Sequence, residues 1–352
     1  MLLDNHQLFQ EIDPQNILGE IDGLPDQLAV AWALGQDFPL PKMDTIKQIV
    51  IAGMGGSATA ADLLATYVRS ACSVPIILVR DYNLPAFARS PETLFIACAH
   101  SGNTEETVAA FDAAVQAGCT VMIISTGGVL AQKAAALNAP HWAFSYKGQS
   151  RMAIGYVFGL LLALFVRLGV IPPELGSIPQ TVADLKSVQR HLRPDLLAVK
   201  NPAKRTAGQA AGRYITIYGA DYMAPVARRW ASQINLMAKS GATSAEIPAA
   251  DHNILAGTEN PAKVMLHTHH IFLRAKSDHP RNSLRLEMTR KTFMLEALST
   301  DTADARGKTP LSQLWTMLLF GDYVAYYLAM IYGTNPATLD ALVDFDEKLK
   351  EY

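Results

Sequence analysis

Two short polar loops in the first third of the chain carry residue types that bind phosphate. The first, Gly53-Met54-Gly55-Gly56-Ser57, follows the apolar run 49–52, and the second, Ser101-Gly102-Asn103-Thr104, follows the apolar run 94–99. A helix-type pattern begins after each loop, and the first turn of a helix offers unpaired N–H groups and a positive dipole end to an anion. We therefore predict a phosphate site made by the residues Gly55, Gly56, Ser57, Ser101, Gly102, Asn103 and Thr104.

Either loop alone is a weak signal. The first loop lacks the Gly-Lys-Ser/Thr of a Walker motif, and Ala58 stands where the Gly-x-Gly-x-x-Gly fingerprint has its third glycine. A glycine-rich turn between a strand and a helix is often only a turn. Two such loops in one α/β unit nevertheless predict one anion site at the carboxyl edge of a parallel sheet, where neighbouring strands end together.

The elements that position these loops alternate between strand and helix, which is typical of a parallel, doubly wound α/β sheet. Predicted strands lie at 47–52, 75–79, 94–99, 120–125 and 141–146, and a long apolar helix covers 152–168. The second half restarts the same pattern, with strands predicted at 214–219 and 264–273 and helices at 226–239, 284–298, 311–332 and 340–350.

Prolines and polar composition divide the chain into four parts. Pro172-Pro173 ends the first apolar helix, and the stretch that follows is polar and punctuated by further prolines. We predict an N-terminal helical segment, a first domain with the phosphate loops, a linker of helices and a second domain, at 1–44, 45–175, 176–213 and 214–352.

Composition narrows the class of protein. The formal net charge of -2 gives no basic footprint for nucleic acid. Cys72, Cys98 and Cys119 lie in or beside apolar runs without a zinc-ligand spacing, and we expect reduced thiols. The start of the chain lacks a basic segment followed by a long apolar one, and the apolar run 154–166 is short of the roughly 20 residues that span a bilayer. We expect a cytoplasmic protein that binds neither membrane nor nucleic acid.

Several stretches resemble the sugar isomerase (SIS) fold and, more narrowly, the bifunctional phosphoglucose/phosphomannose isomerases. The resemblance covers nearly the whole chain, and Ser-Gly-Asn-Thr-Glu-Glu is specific for the superfamily. The stretches that carry it are Leu24-Pro25-Asp26-Gln27, Gly53 to Ser57, Ser101 to Thr107, Arg151 before Ala153-Ile154-Gly155-Tyr156, Trp230 to Lys239, Glu246-Ile247-Pro248 with His252-Asn253, and Gly321-Asp322-Tyr323-Val324 with Tyr326-Tyr327-Leu328-Ala329.

The resemblance implies two SIS domains, each a parallel sheet flanked by helices in three layers, and a homodimer with a shared active site. It implies a sugar-phosphate aldose–ketose isomerase that acts on glucose 6-phosphate and fructose 6-phosphate, with mannose 6-phosphate as a further substrate, through an enediolate and without cofactor or metal. His252 would open the sugar ring from the partner chain, Arg151 would steady the enediolate, and Lys348, or else Lys350, would close the site.

The chain departs from the family pattern at the general base. Leu236 stands where the family has the glutamate that moves the proton, although Asn235, Lys239 and His252 keep their register around it. The glutamate that usually follows His-Asn is Ile254. A serine usual two residues before Ser101 is Ala99, and His100 lies between them.

Aldose–ketose isomerisation needs a base that titrates near neutral pH, and leucine cannot carry a proton. The residues that could replace the glutamate are His100, Glu246 and Asp251. Alternatively, His100 only hydrogen-bonds backbone or substrate, and the chain is a non-catalytic phosphosugar-binding SIS protein. Lys348 is equally consistent with ordinary surface charge. The cluster His267, His269 and His270 lies on a predicted strand with apolar neighbours, and we predict no metal site there.

Overall fold

The computed structural model describes residues 2–351, and the chain forms two compact units. One unit is Gly23–Ala183, and the other combines the segment up to Asp22 with the segment from Asp184 onward. The N-terminal helical segment therefore contributes to both units. The four predicted domain boundaries remain predictions.

Helices and strands follow each other in the predicted alternating order. The helices are α1 His6–Ile12, α2 Ile17–Asp22, α3 Leu24–Asp37, α4 Gly55–Val68, α5 Glu105–Gln116, α6 Gly128–Leu137, α7 Ile154–Arg167, α8 Ile178–Gln189, α9 Pro202–Ala210, α10 Met223–Gln233, α11 Ala249–Asn253, α12 Ala262–Leu266, α13 Pro280–Leu295, α14 Pro310–Tyr332 and α15 Asp340–Leu349. The strands are β1 Gln48–Ala52, β2 Ile76–Val79, β3 Thr93–Ala99, β4 Thr120–Ser125, β5 His141–Ala143, β6 Tyr214–Ala220, β7 Ala242–Ile247, β8 Thr268–Arg274 and β9 Ser299–Asp304.

The first unit contains a parallel five-stranded sheet in the order β2-β1-β3-β4-β5. Strands β1 and β3 are neighbours, with Ala52 opposite Ala97, so the loops that follow them leave the same edge of the sheet. The predicted strands are confirmed, except that the last one, expected at 141–146, is only three residues long.

Helix α7 fits closely against α3 because it carries glycine at the contact. A Cβ at Gly155 would lie 2.7 Å from the Cβ of Gln27, and the Gly155 N–H donates to the Gln27 side-chain oxygen at 3.2 Å. The apolar face of α7 is buried almost throughout, as expected for a core helix. This packing holds the 3-10 turn Ser150–Met152, which immediately precedes α7, in place beside the sheet.

The second unit contains a parallel four-stranded sheet in the order β7-β6-β8-β9. The prediction of a strand over 264–273 is wrong at its start, because the residues up to Leu266 form α12 and pairing begins at Thr268. Strands β7 and β9 were not predicted. Both consist largely of small and polar residues, which give no apolar run to recognise.

Helix α14 forms the core of the second unit. It is long and apolar enough to cross a membrane by length and composition alone, but 89% of its most apolar window is buried inside the protein. A bidentate ion pair joins it to α10, with Arg229 Nε and a terminal nitrogen donating to the two oxygens of Asp322 at 3.1 and 3.0 Å. Both side chains are almost fully buried. Together, the two sheets with their flanking helices confirm the predicted α/β class.

Candidate functional site

The first phosphate loop lies against two other segments at the carboxyl edge of the five-stranded sheet. Gly53 adjoins the end of β3, since a Cβ there would meet the carbonyl oxygen of Cys98 at 2.8 Å. Gly56, at the start of α4, adjoins the 3-10 turn, since a Cβ there would lie 3.0 Å from the Cα of Arg151. A side chain at Gly53 or Gly56 would displace these neighbours, which accounts for glycine at these two positions, whereas Gly55 has a φ of +50°.

The second loop, residues 101–104, is joined to the loop after β4. Gly102 has a φ of +70°, and a Cβ on it would meet the carbonyl oxygen of Gly127 at 1.8 Å. The side-chain oxygen of Asn103 accepts the N–H of Val129 at 2.9 Å, while Ser101 Oγ accepts the N–H of Asn103 at 3.2 Å. The two loops therefore hold each other in one conformation. The side-chain oxygen of Asn103 serves this junction.

Both helices that begin at these loops present backbone donors. Within residues 2–351, the N–H groups of Gly55 and Gly56 on α4, and of Glu105, Glu106 and Thr107 on α5, have no hydrogen-bond acceptor. Neither helix has a side-chain cap on these groups. Since β1 and β3 are adjacent, the two sets of donors leave one edge of the sheet. Such a pair of helix starts can receive one anion.

Hydroxyls and a buried arginine accompany these backbone donors. Ser57 is buried in the first turn of α4, whereas Ser101 is exposed and Thr104 is half-buried at the start of α5. Arg151 is 6% exposed on the turn that touches Gly56. The structure thus brings the predicted phosphate residues and Arg151 together within the first unit.

His100 lies at the base of the second loop, and its ring is near those of Phe144 and Tyr146, with centroid distances of 6.1 and 5.9 Å. Its Nε2 is 3.1 Å from the backbone carbonyl oxygen of Tyr146. A carbonyl oxygen only accepts, so Nε2 carries the proton and Nδ1 keeps the lone pair in the neutral ring. Among the described residues, Nδ1 has no hydrogen-bond partner. His100 therefore makes a hydrogen bond to backbone, and its Nδ1 is left without a partner beside the second loop.

The segment around Leu236 has a fixed conformation. It forms the π-helical turn Ile234–Ala238 that extends α10. Asn235 binds the backbone of Ala242 twice, donating from Nδ2 at 3.0 Å and accepting the N–H at 2.8 Å. Lys239 adopts a left-handed conformation and donates to the carbonyl oxygen of Leu236 at 2.7 Å. At the position where the family pattern has its base, this turn therefore carries the half-buried Leu236.

The two other candidate bases are engaged in ion pairs. Glu246, at the end of β7, is 3.2 Å from Arg228, and both side chains are partly exposed. Asp251 pairs with Arg285 at 2.8 Å and accepts the hydroxyl of Thr289 at 2.7 Å. The two contacts of Asp251 bind the short helix α11 to α13.

His252 and Lys348 are both exposed in the second unit. His252 follows Asp251 on α11, and its ring makes no hydrogen bond within the described residues. Lys348 lies on α15, is 68% exposed and pairs with Asp344 one turn earlier at 2.7 Å. Lys350 follows directly after this helix and is also exposed. This ion pair joins two exposed side chains, as expected if Lys348 is an ordinary surface charge.

Each of the three histidines in the cluster has its own hydrogen-bond partner, which for His270 is the hydroxyl of Tyr218 at 3.4 Å. His267 Nδ1 donates to the carbonyl oxygen of Lys263, and His269 Nδ1 is 2.8 Å from Ser299 Oγ. Burial lowers the pKa of His270 to about 4 and also lowers the pKa of His269. In the chain from residue 2 to 351, no group of three metal-binding side chains comes together.

Sequence reasoning missed Asp221, which follows β6 at the position equivalent to the first phosphate loop. Its carboxylate accepts the backbone N–H of His279 at 2.8 Å and the side-chain amide of Asn282 at 3.0 Å. His279 in turn caps α13 by accepting the N–H of Arg281. The carboxylate of Asp221, which lies two residues before α10, therefore binds the N-terminal end of α13. The signal was an acid, instead of a hydroxyl, directly after an apolar strand.

Comparison with known proteins points to one family of isomerases. Residues 199–349 match the family described as the bacterial phospho-glucose isomerase C-terminal SIS domain. The chain is 34% identical to a bifunctional phosphoglucose/phosphomannose isomerase of Caldicellulosiruptor bescii, over 93% of this chain and 97% of that protein. It is 27% identical to the protein of the same name from Aquifex aeolicus, over 87% of this chain and 91% of the relative.

A solved structure shares the fold. The tagatose-6-phosphate ketose/aldose isomerase of Escherichia coli superposes with a TM-score of 0.67 at 17% identity, covering 91% of this chain and 95% of that one. At this identity the likeness concerns the fold alone. It confirms the predicted arrangement of two helix-flanked parallel sheets.

Proposed function

Because the chain belongs to the family of bifunctional phosphoglucose/phosphomannose isomerases, we propose that it interconverts glucose 6-phosphate and fructose 6-phosphate. Mannose 6-phosphate is the further substrate that the relatives' name indicates. The reaction moves one proton between C1 and C2 of the open-chain sugar through an enediolate. The isomerase class follows from the family, whereas the roles of individual residues are our inference.

The observation that carries the proposal is the pair of unpaired helix starts at the edge of the first sheet. The free N–H groups of α4 and α5, with the hydroxyls of Ser57, Ser101 and Thr104, supply the donors that a phosphate dianion needs. The equivalent place in the second sheet contains the carboxylate of Asp221. We therefore expect one sugar phosphate per chain.

Arg151 is the group that we assign to the developing negative charge of the enediolate. It is buried and next to Gly56, so a guanidinium at this place acts in a surrounding of low dielectric, where charge stabilisation is strong. A fixed cation stabilises the transition state more than the neutral substrate, and this difference is what accelerates the reaction.

His100 is our choice for the base that moves the proton. Glu246 and Asp251 are each held by an arginine, whereas His100 keeps the lone pair of Nδ1 and lies beside the second phosphate loop. A histidine also titrates in the range that proton transfer at neutral pH requires. The proton removed from one carbon would stay on Nδ1 until it is returned to the other.

The remaining roles rest on the family pattern. In a homodimer with a shared site, the partner subunit's His252 opens the sugar ring, and Lys348, or else Lys350, closes the site. The exposure of all three side chains agrees with a partner reaching them. Free cysteines at positions 72, 98 and 119 fit a reducing compartment, and we place the protein in the cytoplasm. Its net charge of -2 supports a partner other than nucleic acid.

The second candidate function is a phosphosugar-binding protein without catalysis, and Leu236 is the observation in its favour. A coupled assay of fructose 6-phosphate turnover, run with calorimetry of sugar-phosphate binding, separates the two. We expect both binding and turnover. Binding without turnover would support the second candidate, and absence of binding would contradict both.

A further inference from the structure

The C-terminal helix α15 exposes an apolar stripe. Residues 340–351 are all exposed. Leu342, Phe345 and Leu349, spaced i, i+3 and i+7, lie on one face of the helix and are 48%, 61% and 48% exposed. We call these three residues the α15 stripe. A soluble domain that leaves such a face uncovered commonly presents it to a partner.

Helix α13 of the same unit carries a second uncovered face. Its inner side is buried through Leu286 and Phe293. On the outer side, Leu284, Met288 and Leu295 share one face at spacings of i, i+4 and i+11, and they are 47%, 59% and 86% exposed. We call these three residues the α13 stripe.

The two helices carry opposite net charge. Helix α15 has four acidic residues and one lysine, a net charge of -3, whereas α13 has four basic residues and one glutamate, a net charge of +3. Lys291 lies between Met288 and Leu295 and pairs with Glu287 of the same helix at 3.6 Å, and Asp346 borders the α15 stripe. Complementary charge of this kind aligns partners. The acidic surplus of α15 also disfavours an anionic membrane, which attracts helices rich in lysine and arginine.

We propose that α15 of one protomer lies along α13 of a second copy of this chain, apolar stripe against apolar stripe. A twofold axis repeats the contact, because the same two helices of each protomer meet those of the other. This inference rests on the homodimer proposed above and names the surface that forms it. Helix α13 supports α11 through the Arg285–Asp251 pair and Thr289, so the docked helix contacts the element that holds His252 in place.

The first test measures molar mass by light scattering across a dilution series of the full chain. We expect a dimer, and Phe345→Asp or Met288→Asp should raise its dissociation constant about 30-fold or more, the size expected for a central hot spot. Val343→Asp is the matched control. Val343 is 54% exposed on α15 but lies on another face, so the dimer should persist.

The second test reverses charge on both helices. Lys291→Glu alone should weaken the dimer, and adding Asp346→Lys in the same chain should restore it, since the two positions meet across the contact. Both side chains are exposed, so neither change removes a core interaction. A disulfide between Met288→Cys and Leu349→Cys, run on a denaturing gel beside each single variant, should give a band of twice the chain mass.

The outcomes distinguish a wrong interface from a wrong oligomeric state. A monomeric wild type would overturn both the proposed dimer and this interface. A dimer that withstands Phe345→Asp, Met288→Asp and Lys291→Glu would overturn the interface alone and leave the shared site intact. A disulfide that forms within one chain would show that α15 folds back on its own α13, which also contradicts the proposal.

Discussion

A Cβ at Gly102 would lie 1.8 Å from the carbonyl oxygen of Gly127. The loop that follows β3 is thereby seated on the loop that follows β4, and Asn103 completes the junction by accepting the N–H of Val129. The free N–H groups of α5 begin two residues later. The shape of the proposed phosphate site therefore depends on a contact between two backbones.

Gly102→Ala should displace this loop and weaken sugar-phosphate binding about tenfold or more, measured by calorimetry with fructose 6-phosphate. Gly118→Ala is the matched control. Gly118 has a φ of +74°, close to the +70° of Gly102, but a Cβ there has nothing within 4 Å. Both variants carry the strain of a left-handed residue, about 1–2 kcal/mol, and only Gly102→Ala adds the clash. Equal binding by the two variants would contradict the role of the Gly102–Gly127 contact.

Removal of the hydroxyls tests the phosphate site more directly. The double change Ser101→Ala with Thr104→Ala deletes two donors to a charged group, each worth about 1.5–3 kcal/mol, so affinity for the sugar phosphate should fall about 100-fold or more. Thr120→Ala is a suitable control, because Thr120 lies at the amino end of β4 and its hydroxyl donates to the Pro91 carbonyl oxygen. Unchanged affinity of the double variant would place the phosphate elsewhere.

A buried ion pair and an exposed ion pair in the second unit should contribute differently to stability. Asp322→Ala leaves Arg229 buried without its carboxylate and should lower the free energy of unfolding by about 3–5 kcal/mol. The pair Arg274–Asp304 has the same bidentate form at 2.8 and 3.0 Å but is exposed, so Asp304→Ala should cost less than about 1 kcal/mol. Urea unfolding measures both. A small loss for Asp322→Ala would mean that water replaces the carboxylate.

Asp278 predicts a dependence of stability on pH. Burial raises its pKa to about 7, the N–H of Ala275 opposes this shift, and the Asp221 carboxylate adds to it. The folded protein therefore keeps a proton that the unfolded chain, with a pKa of 3.8, loses. The free energy of unfolding should fall as the pH rises through this window and level off above about 7, because the folded state binds more protons within it.

Asp278→Asn removes this titration. The stability of the wild type relative to the variant should fall between about pH 4 and 7, by at most about 4 kcal/mol. Asp340→Asn, an exposed aspartate on α15, is the control and should show no such change. A difference between wild type and Asp278→Asn that stays constant with pH would show that Asp278 is ionised in the folded protein.

The sequence predicted the first sheet and the position of the two loops after β1 and β3, because apolar runs and glycine or hydroxyl turns are local signals. Strand β9, Ser-Thr-Asp-Thr-Ala-Asp, is held by pairing with β8 and has no apolar pattern of its own. The contact of Gly102 with Gly127 and the bond of Asn103 to Val129 join residues about 25 positions apart, which spacing alone does not reveal. The engagement of Asp251 by α13 likewise needed the tertiary structure.

The central claim is that this chain isomerises a sugar phosphate with His100 in place of the family's glutamate. The most direct measurement is fructose 6-phosphate turnover by wild type, His100→Ala and Leu236→Glu, with binding of the sugar phosphate followed in parallel. We predict turnover by the wild type, and a loss of about 10²–10⁴-fold in kcat with binding retained in His100→Ala. We predict no gain in Leu236→Glu. An inactive wild type together with a clear gain in Leu236→Glu would contradict the claim, because it would show a binding site that has lost its base.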